Sequence, residues 1–172
     1  MTAAISATPD VRTAFLESMA RLASAVHIVT AHSGGRDYGM TATAAMSLST
    51  EPLSILISIH RDASAHDAIV SGGRICLNTL RPDQAELARI FSGMIELDGR
   101  SRFDFGEWQL GAGQPAQLRG AVSCLECAVL ESHPIGTHRV FACGVTSVSL
   151  GEEARSLVYG NRRFGVMENE ER

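Results

Sequence analysis

Apolar and small polar residues alternate with a period of two through residues 39–50, GMTATAAMSLST. Met40, Ala42, Ala44, Met46 and Leu48 fall on one face of an extended chain, and Thr41, Thr43, Ala45, Ser47 and Ser49 on the other. Read as one strand, the stretch buries its first face and offers the second as a ladder of short hydroxyls. Hydroxyls of this kind can donate to a ligand's carbonyl or phosphate oxygens, and side chains this small let a flat ring approach the backbone. A half-buried antiparallel strand with a solvated Thr/Ser face has the same pattern. Residues 53–60 repeat it, with Leu53, Ile55, Ile57 and Ile59 on one side and Ser54, Leu56, Ser58 and His60 on the other. Two uncharged strands with small polar groups on one face read as the lining of a groove.

Upstream, the period changes. Thr8-Pro9-Asp10 combines a hydroxyl cap, a first-turn proline and an acid at a helix start. Val11, Phe15, Met19, Leu22 and Val26 then form one apolar stripe, which predicts a helix to about residue 23 that packs on the rest of the chain. A strand follows at 26–31 and a turn at 33–37. After the second alternating strand, Arg61-Asp62-Ala63-Ser64-Ala65-His66 leads into a short helix near 67–70 that Gly72-Gly73 stops. Ser64 and His66 beside its first N–H groups fit an anion site and fit a capped helix equally well.

Residues 74–80 (RICLNTL) read as a strand with an inward Asn78, and Pro82 opens a helix to about residue 91 with Leu87, Ile90 and Phe91 inside. Residues 92–113 form a long Gly-spotted loop whose Arg102, Phe103 and Trp108 are either a lid or a packed loop. Strands at 121–131 and 138–150 flank a turn at 132–136, and 157–164 (LVYGNRRF) precedes the acidic tail 168–172. Six or seven short strands with few helices predict a mainly β protein with flanking helices, an antiparallel β-barrel. One domain spans 1–172, with a core of about 12–164 and flexible ends at 1–8 and 166–172.

Composition changes this picture little. At 172 residues, 45% hydrophobic and 20% charged, the chain is an ordinary globular domain that needs no staples. A net charge of -4 leaves no basic footprint for nucleic acid or anionic lipid. With no membrane-length apolar run and no basic start before an apolar segment, the expected compartment is the cytoplasm. The four cysteines are expected as reduced, buried thiols. Cys124 and Cys127 form a CxxC, but on a strand residues three apart point to opposite faces, which suits neither a redox pair nor zinc.

Taken in order, these pieces resemble the short-chain flavin reductases, the reductase components of two-component flavin-dependent monooxygenases. The resemblance covers about 15–164: MARLASAVHIVT, GMTATAAMSLS, Ser64 with His66, CLNTL, Arg102-Phe103 with Gly106 and Trp108, Gly113 and Pro115, Gly136-Thr137-His138, and LVYGNRRF. It implies a flavin-reductase-like split barrel, a homodimer with flavin near the subunit interface, and FMN or FAD reduced by NADH or NADPH. The family pattern implies that Thr41, Ala42, Thr43, Ala44 and Ser47 contact the flavin ring and ribityl chain. Ser58, Ile59, Ser64 and His66 would reach the ribityl and phosphate, while Asn78, Thr79 and Leu80 border the ring. His138 would be the catalytic histidine beside ring and nicotinamide, with Phe103, Tyr159 and Arg162 lining the mouth. Relatives often carry Asn where this chain has His60, and Asp62 brings a carboxylate toward the expected phosphate, which it repels unless it points away.

The implied reaction is hydride transfer from nicotinamide C4 to flavin N5, which asks the protein to stack and orient two rings. No metal and no nucleophile is called for, and no GxGxxG follows a strand. Reduced flavin would pass to a separate monooxygenase. The competing readings are a non-catalytic FMN-binding split-barrel protein and a pyridoxamine-phosphate-oxidase-like enzyme.

Overall fold

The computed structural model describes residues 8–111 and 113–167. The expected flexible ends lie for the most part outside the described residues. Of their described residues, Thr8 caps a helix and Val166 ends a strand.

Helix α1 (Pro9–Ala20) starts as its sequence predicts, with Thr8 Oγ1 accepting from the Val11 N–H at 3.4 Å. Twelve strands follow among the described residues: β1 (Ser24–Ala25), β2 (His27–Ser33), β3 (Arg36–Ala42), β4 (Ala45–Thr50), β5 (Leu53–His60), β6 (Arg74–Thr79), β7 (Trp108–Gly111), β8 (Gln114–Leu118), β9 (Ser123–Ile135), β10 (His138–Leu150), β11 (Leu157–Gly160) and β12 (Arg163–Val166). Helix α2 (His66–Gly72) sits between β5 and β6, and α3 (Ala85–Ser92) follows β6. Seven strands form one antiparallel sheet in the order β3-β2-β6-β9-β10-β5-β4. Its two edge strands, β3 and β4, are consecutive in the chain and separated only by Thr43 and Ala44. A link this short forces the edges toward each other, so the sheet curls strongly. Among the described residues no hydrogen-bonded ladder joins β3 to β4.

The stretch 39–50 is therefore two strands. Its expected core face is also broken: Met46 and Leu48 are 60% and 50% exposed, while Ala42 is buried. The crossing at Thr43–Ala44 and the register shift between Ser47 and Ser49 interrupt the period, so one alternation cannot hold from end to end. In β5 it does hold. Ile55, Ile57 and Ile59 are buried on the inner face, opposite Cys143, Phe141 and Arg139 of β10.

Two apolar clusters flank the sheet. The inner one joins Val29, Ile57, Ile69, Ile75, Phe141 and neighbours under α2. The outer one joins Ile28, Cys76, Leu80, Phe91, Leu118 and Leu157 under α3 and the β7–β8 hairpin. That hairpin occupies part of what the sequence presents as loop. The β9–β10 turn is also shorter than expected, because β9 continues to Ile135 and leaves only Gly136 and Thr137.

One expectation fails outright. Helix α1 buries no residue, and Val11, Phe15, Met19 and Leu22 are all at least 43% exposed. The helix touches the domain through its end, where the Asn161 N–H donates to Ala20 O and Arg162 pairs with Glu17 at 3.2 Å.

Candidate functional site

The candidate residues gather along the β3–β4 crossing. On one side, Thr41, Ala42 and Thr43 line a cleft of about 180 Å³ with Val26, Ser92, Met94, Tyr159 and Phe164. Tyr159 and Phe164 form its aromatic wall, with ring centroids 5.1 Å apart. Both are placed by the β11–β12 hairpin, whose turn residues Asn161 and Arg162 take φ of 49° and 59°. Such angles suit the two-residue hairpin turn and push Arg162 outward. Met94, Tyr159 and Phe164 also line an adjoining space of about 340 Å³ with Arg89, Arg162 and Arg163. The Arg89 guanidinium lies 5.0 Å from the Phe164 ring centroid, a cation–π contact.

On the other side, the Ser58 N–H donates to Ala44 O at 3.0 Å, tying the crossing to β5. The outer face of β5 and β10 there carries Ser58, His60 and His138, whose imidazoles pack edge to face with centroids 5.0 Å apart. His138 is exposed and its Nδ1 lies 3.0 Å from Thr137 Oγ1. Asp62 donates its backbone N–H to His60 Nδ1 at 3.2 Å while its carboxylate stays 90% exposed. The acid is thus turned to solvent.

Farther up β3, Gly39 O accepts from Ser64 Oγ at 3.0 Å and from Arg102 Nη1 at 3.1 Å, and Arg102 also donates to Ser64 at 2.9 Å. A Cβ on Gly39 would stand 2.6 Å from Phe91 and 3.2 Å from Phe103, so only glycine allows this approach. Phe103 and Trp108 pack on Phe91 at 5.3 and 5.2 Å between centroids. The loop they belong to is a packed one.

Several expected site residues are committed elsewhere. Thr41 Oγ1 donates to Ala88 O at 2.7 Å, at the base of the cleft. Asn78 is fully buried. Its Nδ2 donates to Ile28 O, Cys76 O and Ala116 O, and its Oδ1 accepts from the Leu118 N–H at 2.8 Å. Ile59 and Leu80 are also fully enclosed and offer only backbone. His66 lies under the inner face, with Nδ1 2.8 Å from Asp67 Oδ1 and its ring 6.2 Å from Phe141. It does not share a surface with Ser64. Ser47 and Thr79 border a separate groove of about 470 Å³ with Ala45, Met46, Leu125 and Val145. His27 opens on the same groove, its Nδ1 3.1 Å from Thr79 Oγ1, and burial lowers its pKa to about 4.

The sequence signalled Arg162, but neither His27 nor the grouping of Arg162 with Arg89 and Arg163. Arg89 lies on a helix, Arg162 in a turn and Arg163 on a strand, and only the hairpin folding back on α3 unites them. Ala42 keeps the cleft open beside Tyr159 and Phe164, Thr43 offers a hydroxyl at the rim, and Arg89, Arg163 and the Glu17-paired Arg162 bring positive charge to the adjoining space.

The family model for the flavin reductase like domain matches residues 19–168. The chain is 37% identical over 163 residues to the FMN reductase (NADH) RutF of Methylorubrum populi, covering 94% of this chain and 79% of that protein. It is 34% identical to the FMN reductase (NADH) RutF of Stutzerimonas stutzeri, covering 91% and 88%. Among solved structures, a putative flavin reductase from Haemophilus somnus is 30% identical with a TM-score of 0.82, covering 90% of this chain and 98% of the other. The NADH:FAD oxidoreductase SgcE6 of Streptomyces globisporus is 26% identical with a TM-score of 0.83, covering 96% and 99%. A family match over nearly the whole chain, with relatives 37% and 34% identical along most of its length, leads to one conclusion: this chain belongs to the flavin reductase like domain family.

Proposed function

We propose that this protein is an NADH-dependent FMN reductase, built on a split barrel, that releases reduced flavin to a separate monooxygenase in the cytoplasm. The observation that carries the reading is the Thr43–Ala44 crossing, where the cleft lined by Thr41, Ala42, Thr43, Tyr159 and Phe164 adjoins β5, the strand that sets His60 against His138 of β10. Preference for FMN rests on the names of the relatives that are 37% and 34% identical, and NADH is common to their names and that of the Streptomyces structure.

When bound, the flavin supplies the redox chemistry, taking hydride at N5. The protein's part is placement. Thr43 offers its hydroxyl to the ring edge, Tyr159 and Phe164 hold a face, and Arg89, Arg162 and Arg163 attract phosphate. His138, exposed beside His60, would orient the nicotinamide. Ser58 and the Ser64–Arg102 pair support the strand ends that carry these groups.

The exposed apolar residues of α1, together with Met46 and Leu130 on the sheet's outer side, favour a homodimer with the site near the interface. The test is oxidation of NADH and NADPH with FMN, FAD and riboflavin, each at several concentrations. Steady NADH consumption that scales with added FMN is expected. A protein that binds FMN and leaves NADH untouched would be a flavin-binding module instead.

A further inference from the structure

Asn78 Oδ1 accepts from two thiols at once, Cys124 Sγ at 3.2 Å and Cys76 Sγ at 3.6 Å. The β6–β9 register sets Asn78 opposite Cys124 and Cys76 opposite Glu126. Cys76 and Cys124 are therefore diagonal neighbours on one face, and both belong to the outer cluster. The CxxC spacing hides this, because Cys127 lies in the inner cluster.

The two thiols differ in access. Cys76 is fully buried, whereas Cys124 borders a cavity of about 210 Å³ between the β7–β8 hairpin and the end of β10, shared with Gln117, Gly120, Ser149 and Gly151. Hydrogen bonding from Cys76 and Ser149 draws the Cys124 thiol down to about 7 against the opposing effect of burial. The same neighbour and burial hold Cys76 protonated. Burial raises Cys127 to about 11 and Cys143 to about 12. One thiol of the four is thus both reachable and readily ionised.

We propose that Cys124 and Cys76 form a peroxide-sensitive dithiol that closes to an intrachain disulfide. The Cys124 thiolate attacks hydrogen peroxide. An S–O bond forms, the O–O bond breaks, and the departing hydroxide takes up a proton to become water. Cys76 then attacks the sulfenic sulfur. The S–S bond forms, the S–O bond breaks, and the Cys76 proton leaves with the hydroxyl as a second water. Both sulfurs are oxidised and one peroxide is reduced. Reduced flavin meeting dioxygen would supply that peroxide, a source that rests on the proposed function, while the thiol chemistry does not. Diagonal neighbours stand about 7–8 Å apart, just beyond ordinary disulfide reach, so closing the bridge draws β6 and β9 together, and the resulting strain makes it easily reduced again.

The test adds hydrogen peroxide to the reduced protein without flavin or NADH, blocks remaining thiols with an alkylating reagent, and maps the products by mass spectrometry. Expected are loss of two hydrogens, a linked fragment joining Cys76 to Cys124, and recovery of both thiols with dithiothreitol. A Cys127→Ala/Cys143→Ala variant should behave the same way, and adding Cys124→Ser should abolish the link. Four outcomes would overturn the proposal: a bridge to Cys127 or Cys143, a link between chains, Cys124 left unmodified, or Cys124 oxidised without joining Cys76. Because peroxide is supplied directly, none of these results depends on whether the protein reduces flavin.

Discussion

His60 and His138 stand directly opposite each other across the β5–β10 ladder, their rings 5.0 Å apart at 85°. The Asp62 N–H donates to His60 Nδ1, which leaves the His60 proton on Nε2 and fixes its ring as a side wall for His138.

His138→Ala should slow hydride transfer ten- to a hundredfold, about 1.4–2.7 kcal/mol in the barrier, with flavin affinity nearly unchanged. His60→Ala should produce a smaller loss in the same direction, because it frees the His138 ring. Stopped-flow flavin bleaching at saturating NADH, with a flavin titration and a melting curve beside it, separates these effects from misfolding. A wild-type rate in folded His138→Ala protein removes the residue from the site.

Thr41 and Thr43 are two residues apart, yet their substitutions should report on different properties. Thr43→Val should weaken flavin binding threefold to tenfold, the equivalent of about 0.5–1.5 kcal/mol. Thr41→Val removes the hydrogen bond to Ala88 O and should cost a similar amount of folding stability. Flavin titrations and denaturant melts of both variants check the division. Reversed effects would exchange their roles.

Arg162→Ala and Arg163→Ala should raise the KM for whichever ligand places its phosphate in the cleft, with little change in kcat. Separate KM determinations for FMN and NADH identify the ligand. Unaltered KM for both would place the phosphates elsewhere.

His27 gives the fold a pH dependence. Its pKa falls from 6.5 to about 4 on folding, so between these values the unfolded chain binds the extra proton. Stability should be fully present above pH 6.5 and fall by about 3 kcal/mol as the pH drops toward 4. His27→Gln should flatten that part of the profile, as measured by urea melts across the range. An unchanged slope would assign the acid sensitivity to other groups.

Phe15→Asp with Met19→Asp should convert a dimer to monomers, because both side chains are exposed on the unpartnered face of α1. Sedimentation velocity of the wild type and variant reads this directly. A wild-type protein that sediments as a monomer at micromolar concentration defeats the dimer proposal.

Sequence by itself determined what depends on neighbours along the chain. The Thr8-Pro9 helix start, the period-two alternation of β5 and the stop at Gly72-Gly73 are local effects of capping, side-chain direction and left-handed backbone. The order of the motifs likewise identified the family. Only the tertiary structure decided how distant segments use those residues. Asn78 looked like a ring neighbour, but packing of β8 against β2 and β6 surrounds its amide with backbone partners. The α1 stripe looked like core, but none of the described residues covers it. Arg89 joined Arg162 and Arg163, and Cys76 joined Cys124, through a hairpin folding onto a helix and through strand register. Curling the sheet turned one run of alternating residues into two edges with the candidate site between them, because two residues can link opposite edges only when those edges meet.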